Sequence, residues 1–126
     1  MRLLLDTNVV LWLLLGDVAQ IPSTIQSALE DPDHSVLVSA ASVWEIAIKR
    51  SIGKLDIEDR WPSALHRLGF EHCPVTAEHA AAVQSLPWHH RDPFDRLLIA
   101  QAGLEDATLV SADAQIRRYR VPVLWV

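Results

Sequence analysis

The sequence predicts an α/β fold built on a parallel sheet, and two features of its hydrophobic pattern carry that prediction. Short apolar runs alternate along the chain with longer segments that have the amphipathic spacing of helices. The first run, Leu3-Leu4-Leu5, contains no polar residue, as expected of a strand buried on both faces. Such strands occur mainly in parallel sheets that are covered by helices on either side.

In the first half of the chain, caps and breakers set the boundaries of the predicted elements. We predict strands over 2–6 and 35–39, and helices over 8–15, 22–31, 40–51 and 59–68. Gly16 and Gly53 are expected to end the first and third helices, because glycine readily adopts a left-handed backbone. Pro22 opens the second helix. Apolar residues on most sides of the 40–51 helix predict that it is largely buried.

The second half continues the same alternation. We predict strands over 70–75, 107–111 and 121–125, and helices over 77–86, 93–103 and 113–119. Asp92 and Pro93 begin the second of these helices as its N-cap and first helical residue. The longest loop, 86–92, precedes them. We find no linker, so residues 1–126 are expected to form one domain.

Composition narrows the class of protein. Half of the residues are hydrophobic and 21% are charged, which indicates a soluble globular chain, and we expect a cytoplasmic location. Cys73 stands alone in an apolar stretch and is expected to be a buried, reduced thiol. Most of the five tryptophans are expected in the core. The net charge of −5 argues against a nucleic-acid partner only if no cations are bound, so charge does not decide the partner.

Two aspartates follow predicted strands at the turn into a helix. Asp6 comes directly after the first apolar run, and Asp113 follows the strand over 107–111. The carboxyl ends of parallel strands meet at one edge of a sheet, where open α/β folds keep their binding sites. Each aspartate alone is equally compatible with a helix N-cap, but the recurrence of the arrangement favours a shared site.

Glu45 is a carboxylate flanked by apolar residues inside a predicted helix. Burial of such a group is costly unless it is paired or bound to a cation. Lys49 offers an ion pair one turn later. Ser42 and Glu45 also match a capping box, a structural alternative that requires the helix to begin at Ser42. We expect the helix to begin nearer Ser39, which leaves Glu45 inside it.

Asp95 lies in the first turn of its helix with Leu98 and Ile99 stacked above it. A helix N-terminus favours negative charge, so a purely structural role is one alternative. Asp92, three residues earlier, has the position of a plain N-cap and is assigned a supporting role. Because the two aspartates are only three residues apart, their roles could be exchanged. The apolar stripe above Asp95 favours it as the principal metal ligand.

Together the four acids predict a metal site, because carboxylates and water suit Mg²⁺ or Mn²⁺. The chain has no glycine-rich phosphate loop, and one cysteine with dispersed histidines cannot form a structural zinc site. His89 and His90 could bind a metal or act in acid–base chemistry, although such a pair is more often merely exposed.

Four segments resemble the motifs of a PIN domain, and more closely those of the VapC-type toxins of prokaryotic toxin–antitoxin pairs. These segments occur in the family's order along the whole chain and are Leu4–Asn8, Ser42–Ile46 with Lys49 and Gly53–Leu55, Asp92–Ala100, and Leu109–Asp113. The resemblance implies a three-layer α/β/α fold with a central parallel sheet of about five strands. It also implies a Mg²⁺- or Mn²⁺-dependent endoribonuclease, a cognate antitoxin protein that occludes the site, and a homodimer.

Residue roles follow from the resemblance by position. The catalytic, metal-binding acids would be Asp6, Glu45, Asp95 and Asp113, with polar support from Thr7, Asn8 and Ser111. The acids would hold cations that activate water for phosphodiester hydrolysis. Lys49 and Arg96 would balance the acids or contact RNA phosphates, for which arginine is well suited.

Two other functions fit parts of the pattern. The first is a PIN-like module that binds a protein partner and does not cleave RNA. The second is a phosphoryl-transfer receiver or phosphatase on a flavodoxin-like sheet, in which Asp6 is phosphorylated. Receiver domains generally place that aspartate on a later strand.

Overall fold

A five-stranded parallel sheet forms the centre of the protein, which is described for residues 1–126 by a computed structural model. The strands are β1 (Arg2–Leu5), β2 (Ser35–Ser39), β3 (Glu71–Cys73), β4 (Thr108–Ser111) and β5 (Val123–Trp125). Their order across the sheet is β3-β2-β1-β4-β5, and every neighbouring pair is parallel. The predicted α/β class and parallel sheet are confirmed.

Six α-helices connect the strands. They are α1 (Thr7–Leu15), α2 (Ser23–Glu30), α3 (Ala40–Ser51), α4 (Trp61–Arg67), α5 (Ala77–Ala82) and α6 (Pro93–Leu104). Gly16 and Gly53 follow the ends of α1 and α3 with φ of 71° and 74°, as their predicted role as stops requires. Short 3₁₀ turns cover Val18–Gln20, Val83–Ser85 and Ala114–Arg118, so the helices predicted over 77–86 and 113–119 are partly or wholly 3₁₀.

Both faces of the sheet are covered, which gives the three layers. Along β1, Leu3 and Leu5 pack into one core with residues of the helices α1, α2 and α4, while Leu4 packs into a second core with α6. Successive side chains of a strand point to opposite faces, so an uninterrupted leucine run supplies both cores. This is why β1 shows no polar alternation.

Three burial predictions are decided by the structure. Cys73 is buried and free, as predicted. The expectation that α3 is largely buried is wrong, because only one face of it is covered and Trp44 is 61% exposed. Three of the five tryptophans lie in or against the cores, as expected: Trp61 is buried, and Trp12 and Trp125 are partly buried. Trp88 is 75% exposed. No helix has the length and apolar character needed to cross a membrane.

The strand register brings the ends of β1, β2 and β4 to one edge. Leu5 pairs with Val110 and Leu4 with Leu37, and the backbone N–H of Asp6 donates to the carbonyl of Val110 at 3.0 Å. The residue after β1 therefore lies beside the end of β4. Helices α1 and α3 start at this same edge.

Candidate metal centre

Asp6 is the most buried of the predicted acids, with 4% of its surface exposed. It caps α1, where its Oδ1 accepts a hydrogen bond from the backbone N–H of Val9 at 3.0 Å. Its Oδ2 accepts a hydrogen bond from the hydroxyl of Ser111 at the end of β4. Burial raises the pKa of Asp6, an effect that the Ser111 and Val9 hydrogen bonds partly offset. The capping alternative and the site are therefore compatible.

Glu45 enters the site from α3 and is buried, with 6% of its surface exposed. Its Oε2 pairs with the Lys49 ammonium at 2.8 Å, as the sequence predicted. The Oε1 atom is buried without any hydrogen-bond partner. The N-cap of α3 is Ser39, whose hydroxyl accepts from the backbone N–H of Ala41, so the capping-box alternative for Glu45 is excluded.

Asp95 and Asp92 reach the site from the first turn of α6. Asp92 is the N-cap, accepting hydrogen bonds from the backbone N–H groups of Phe94 and Asp95 at 2.8 and 3.1 Å. Asp95 makes no such bond to the helix. Burial, with a further contribution from the nearby charge of Asp92, raises the pKa of Asp95 to about 7. Two carboxyls with different environments thus occupy one helix turn.

His90 lies between two of the acids. Its Nε2 is 2.9 Å from Oδ2 of Asp95 and 2.9 Å from Oδ2 of Asp113. Each of the three side chains has an atom that could bind a metal ion, and these atoms all lie within 4.8 Å of one another. His89 does not take part, because its ring packs edge-to-face on Tyr119 at 5.2 Å between centroids. Of the two histidines, His90 therefore lies against the acids, and His89 lies against Tyr119.

Most of the predicted site residues meet around a polar cavity of about 110 Å³. No hydrophobic residue lines it; its lining consists of Asp6, Thr7, Asn8, Glu45, Lys49, Asp92, Asp95 and Asp113. Thr7 donates its hydroxyl to Ser42 at 3.0 Å, which ties the start of α1 to α3. Ser111 stays behind the cavity, where it donates to Asp6 and accepts from the backbone N–H of Asp113 at 3.0 Å.

Arg96 is turned away from the cavity, and its placement corrects the prediction that it balances the acids or contacts RNA phosphates. It is 2% exposed, and its guanidinium donates to the carbonyl oxygens of Val83, Leu86 and Pro87 at 3.1, 3.3 and 2.9 Å. The ring of Trp88 covers the guanidinium at 3.8 Å. A side chain held in this way organises the 86–92 loop and is too buried to meet a phosphate at the cavity.

The PIN domain family model matches residues 3–122. The chain belongs to the PIN-domain family. The observed five-stranded parallel sheet covered on both faces is consistent with this family. The strand order also excludes the receiver alternative, because a flavodoxin-like sheet has the order 2-1-3-4-5.

Solved structures share this PIN fold. Similar chains occur in VapBC2 from Rickettsia felis bound to a DNA fragment of its promoter, with 18% identity, a TM-score of 0.75 and 98% of each chain covered. A chain of DNA-bound VapBC from Salmonella typhimurium has 14% identity and a TM-score of 0.70, with 98% of this chain and 97% of that chain covered. A chain of a toxin–antitoxin complex from Klebsiella pneumoniae has 20% identity and a TM-score of 0.62, with 96% of this chain and 94% of that chain covered. No curated protein matches the sequence.

The chemistry of the PIN domain's cavity fits a divalent cation. A buried carboxylate oxygen without a partner is costly, and Glu45 Oε1 is such an atom. The acids outnumber the single lysine in the lining, and oxygen ligands are those that Mg²⁺ and Mn²⁺ prefer. The cavity is also too small for a larger organic cofactor. The donor set and its unmet charge therefore suit a small hard cation.

Proposed function

We propose that this PIN domain is a Mg²⁺- or Mn²⁺-dependent endoribonuclease and the toxin of a toxin–antitoxin pair. The observation that carries the proposal is the cavity itself, in which an unpartnered buried Glu45 oxygen lies among further carboxylates with no hydrophobic lining. Such a group of charges is strongly unfavourable without a cation. Proteins that hydrolyse phosphodiesters commonly use metal ions held by carboxylates.

In this proposal, Asp6, Glu45, Asp95 and Asp113 would hold the cation. When bound, the cation would supply an activated water and neutralise charge on the reacting phosphate. Ser111 and the Val9 backbone fix the Asp6 carboxylate, so its position is set before a ligand arrives. Lys49 offsets the charge of Glu45 at 2.8 Å and, being 41% exposed, can also meet a phosphate at the mouth of the cavity.

The toxin assignment rests on the complexes in which similar chains occur. One of them is a toxin–antitoxin complex, and others are VapBC assemblies bound to DNA. We therefore propose a cognate antitoxin that covers the acidic cavity, a homodimer, and a cytoplasmic site of action. RNA as the substrate comes from the resemblance of the chain's motifs to those of VapC-type toxins.

Cleavage of a mixed RNA pool by purified, antitoxin-free protein tests the nuclease. The reaction is run with Mn²⁺, with Mg²⁺ and with EDTA, alongside Asp6→Asn and Asp56→Asn. Asparagine is also a good N-cap, so Asp6→Asn keeps α1 capped while removing one charge from the cavity. Asp56 is an exposed acid outside the cavity, and its variant removes the same charge elsewhere.

We expect metal-dependent cutting by the wild type and by Asp56→Asn, and none by Asp6→Asn. Cutting that survives EDTA would contradict a metal centre. A folded, metal-loaded protein that cuts no RNA and still binds its antitoxin would be the catalytically silent protein-binding module.

A further inference from the structure

Two aromatic side chains meet beside the acidic cavity. Trp44 immediately precedes Glu45 in α3, and Phe94 immediately precedes Asp95 in α6. Their ring centroids are 5.2 Å apart with an interplanar angle of 67°, an edge-to-face contact. The pair thus links the two helices that deliver two of the proposed metal ligands. Neither ring lines the cavity itself.

Trp44 remains 61% exposed in spite of this contact. The other highly exposed tryptophan, Trp88, has a structural role, because its ring covers the buried Arg96 guanidinium. Trp44 has no cationic partner, and the buried face of α3 is formed by residues such as Ala41 and Ile46. Its large apolar surface therefore contributes little to the core, and packing alone does not explain it.

The position of the indole suits an unpaired nucleobase. Trp44 and Phe94 each directly precede an acid that lines the cavity, and their rings meet between the two helices that carry those acids, so a nucleotide whose phosphate lies at the carboxylates has this aromatic pair beside it. Every base has a π-face that stacks on aromatic side chains, whereas a base within a duplex is already stacked on its neighbours. The edge-to-face contact with Phe94 restricts the indole and lowers the entropy lost on stacking.

We propose that Trp44, supported by Phe94, stacks the unpaired base next to the scissile phosphate. The inference rests on the proposed ribonuclease function and assigns the residue that holds an unpaired base at the cut. Trp44 is then a substrate-positioning residue, and cleavage depends on a free base more than on the identity of that base. Stacking is tolerant of sequence because all four bases offer a similar face.

The test pairs a protein change with a substrate change. The cut position is mapped on a single-stranded RNA with Mn²⁺, and a matched RNA lacking only the base beside the cut is prepared. Wild type, Trp44→Ala, Trp44→Phe and Ile52→Ala are compared on both RNAs. Ile52 is a similarly exposed apolar residue at the end of the same helix, 59% exposed and outside the cavity.

We expect Trp44→Ala to lower kcat/KM on the intact RNA at least about five-fold, with Trp44→Phe restoring most of the rate and Ile52→Ala unchanged. The wild type should cut the abasic RNA slowly, and Trp44→Ala should cut it at the same slow rate, because the two changes remove the same stacking interaction. If the rate losses caused by Trp44→Ala and by removal of the base multiply when the two changes are combined, the stacking inference is wrong. It is also wrong if wild type and Trp44→Ala cut the intact RNA equally fast.

Two other outcomes are distinguishable. If the wild type cuts no RNA in any metal, the ribonuclease proposal fails and the stacking inference fails with it. If Trp44→Ala cuts normally but changes the oligomeric state or loses the antitoxin, measured by light scattering, the aromatic pair is a protein-contact surface and the stacking inference is wrong.

Discussion

His90 donates to Asp113 through Nε2 over 2.9 Å, and this contact joins the 86–92 loop to the turn after β4. The other ring nitrogen, Nδ1, accepts a hydrogen bond from the backbone N–H of Asp92 at 3.2 Å. An acceptor at Nδ1 places the ring proton on Nε2. The imidazole can therefore be neutral and still donate between Asp113 and Asp95, whose Oδ2 is also 2.9 Å away.

Replacing His90 tests this orienting role. His90→Ala should weaken Mn²⁺ binding by roughly 10- to 100-fold, the usual cost of losing a hydrogen bond that orients a metal ligand. His90→Gln keeps an N–H donor and should restore most of the affinity. His89→Ala is the matched control, since the neighbouring histidine contacts Tyr119 and not the acids. Isothermal titration calorimetry measures all four proteins; a glutamine variant as weak as the alanine variant would show that the ring itself binds the metal.

The raised pKa of Asp95 predicts how pH changes the stability of the metal-free protein. Because this pKa rises from 3.8 to about 7, the folded state holds a proton that the unfolded state has already lost between those values. The free energy of unfolding should therefore decrease as pH rises from about 4 to about 7. Above pH 7 this contribution becomes constant.

Urea unfolding in EDTA across this pH range checks the prediction. Asp95→Asn removes the titrating group, so its free energy of unfolding should depend less on pH than that of the wild type. At pH 8 the metal-free variant should be the more stable of the two. Equal pH dependence in the two proteins would contradict the burial and charge that raise this pKa.

Arg96 is predicted to stabilise the loop that carries His90. Arg96→Ala leaves several carbonyl oxygens without a donor and opens a space under Trp88, so we expect a loss of more than about 3 kcal/mol. Arg96→Lys keeps the charge but cannot reach the same set of oxygens, and should lose less. Arg91→Ala, at an exposed position in the same loop, should change stability by under about 0.5 kcal/mol. Thermal melting distinguishes these outcomes, and an Arg96→Ala protein as stable as Arg91→Ala would contradict the role.

Local patterns in the sequence were enough to predict the sheet and the grouping of acids. An apolar run without alternation identified β1, and Gly16, Gly53, Asp92 and Pro93 marked the helix ends through their backbone preferences. The acids came together because parallel strands end at one edge, which is a property of the topology and not of any single residue.

What the sequence left undecided depends on three-dimensional neighbours. Arg96 follows an acid in sequence, yet on the helix it points away from the cavity and into the 83–90 segment. The separation of His89 from His90 is set by Tyr119, whose hydroxyl accepts from the backbone N–H of His90 and donates to the carbonyl of Pro87. Side chains distant in the chain fix that loop, and no local periodicity encodes it.

Added metal should stabilise the wild-type protein through Glu45. A ligand that binds only the folded state at 100 times its dissociation constant adds about 2.7 kcal/mol, or roughly 10 °C in Tm for a chain of this size. Glu45→Gln replaces the buried carboxylate by a neutral group of the same shape, so Mn²⁺ should raise its Tm far less. Asp56→Asn should respond as the wild type does.

The metal-free melting temperatures make this comparison decisive. Glu45→Gln removes one of several close negative charges but also the partner of Lys49, and the two effects oppose each other. Its metal-free Tm should therefore stay near that of the wild type, while its response to Mn²⁺ is lost. Equal Mn²⁺ responses in wild type, Glu45→Gln and Asp56→Asn would mean that the cation binds elsewhere, and that the unpartnered Oε1 of Glu45 does not mark a metal ligand.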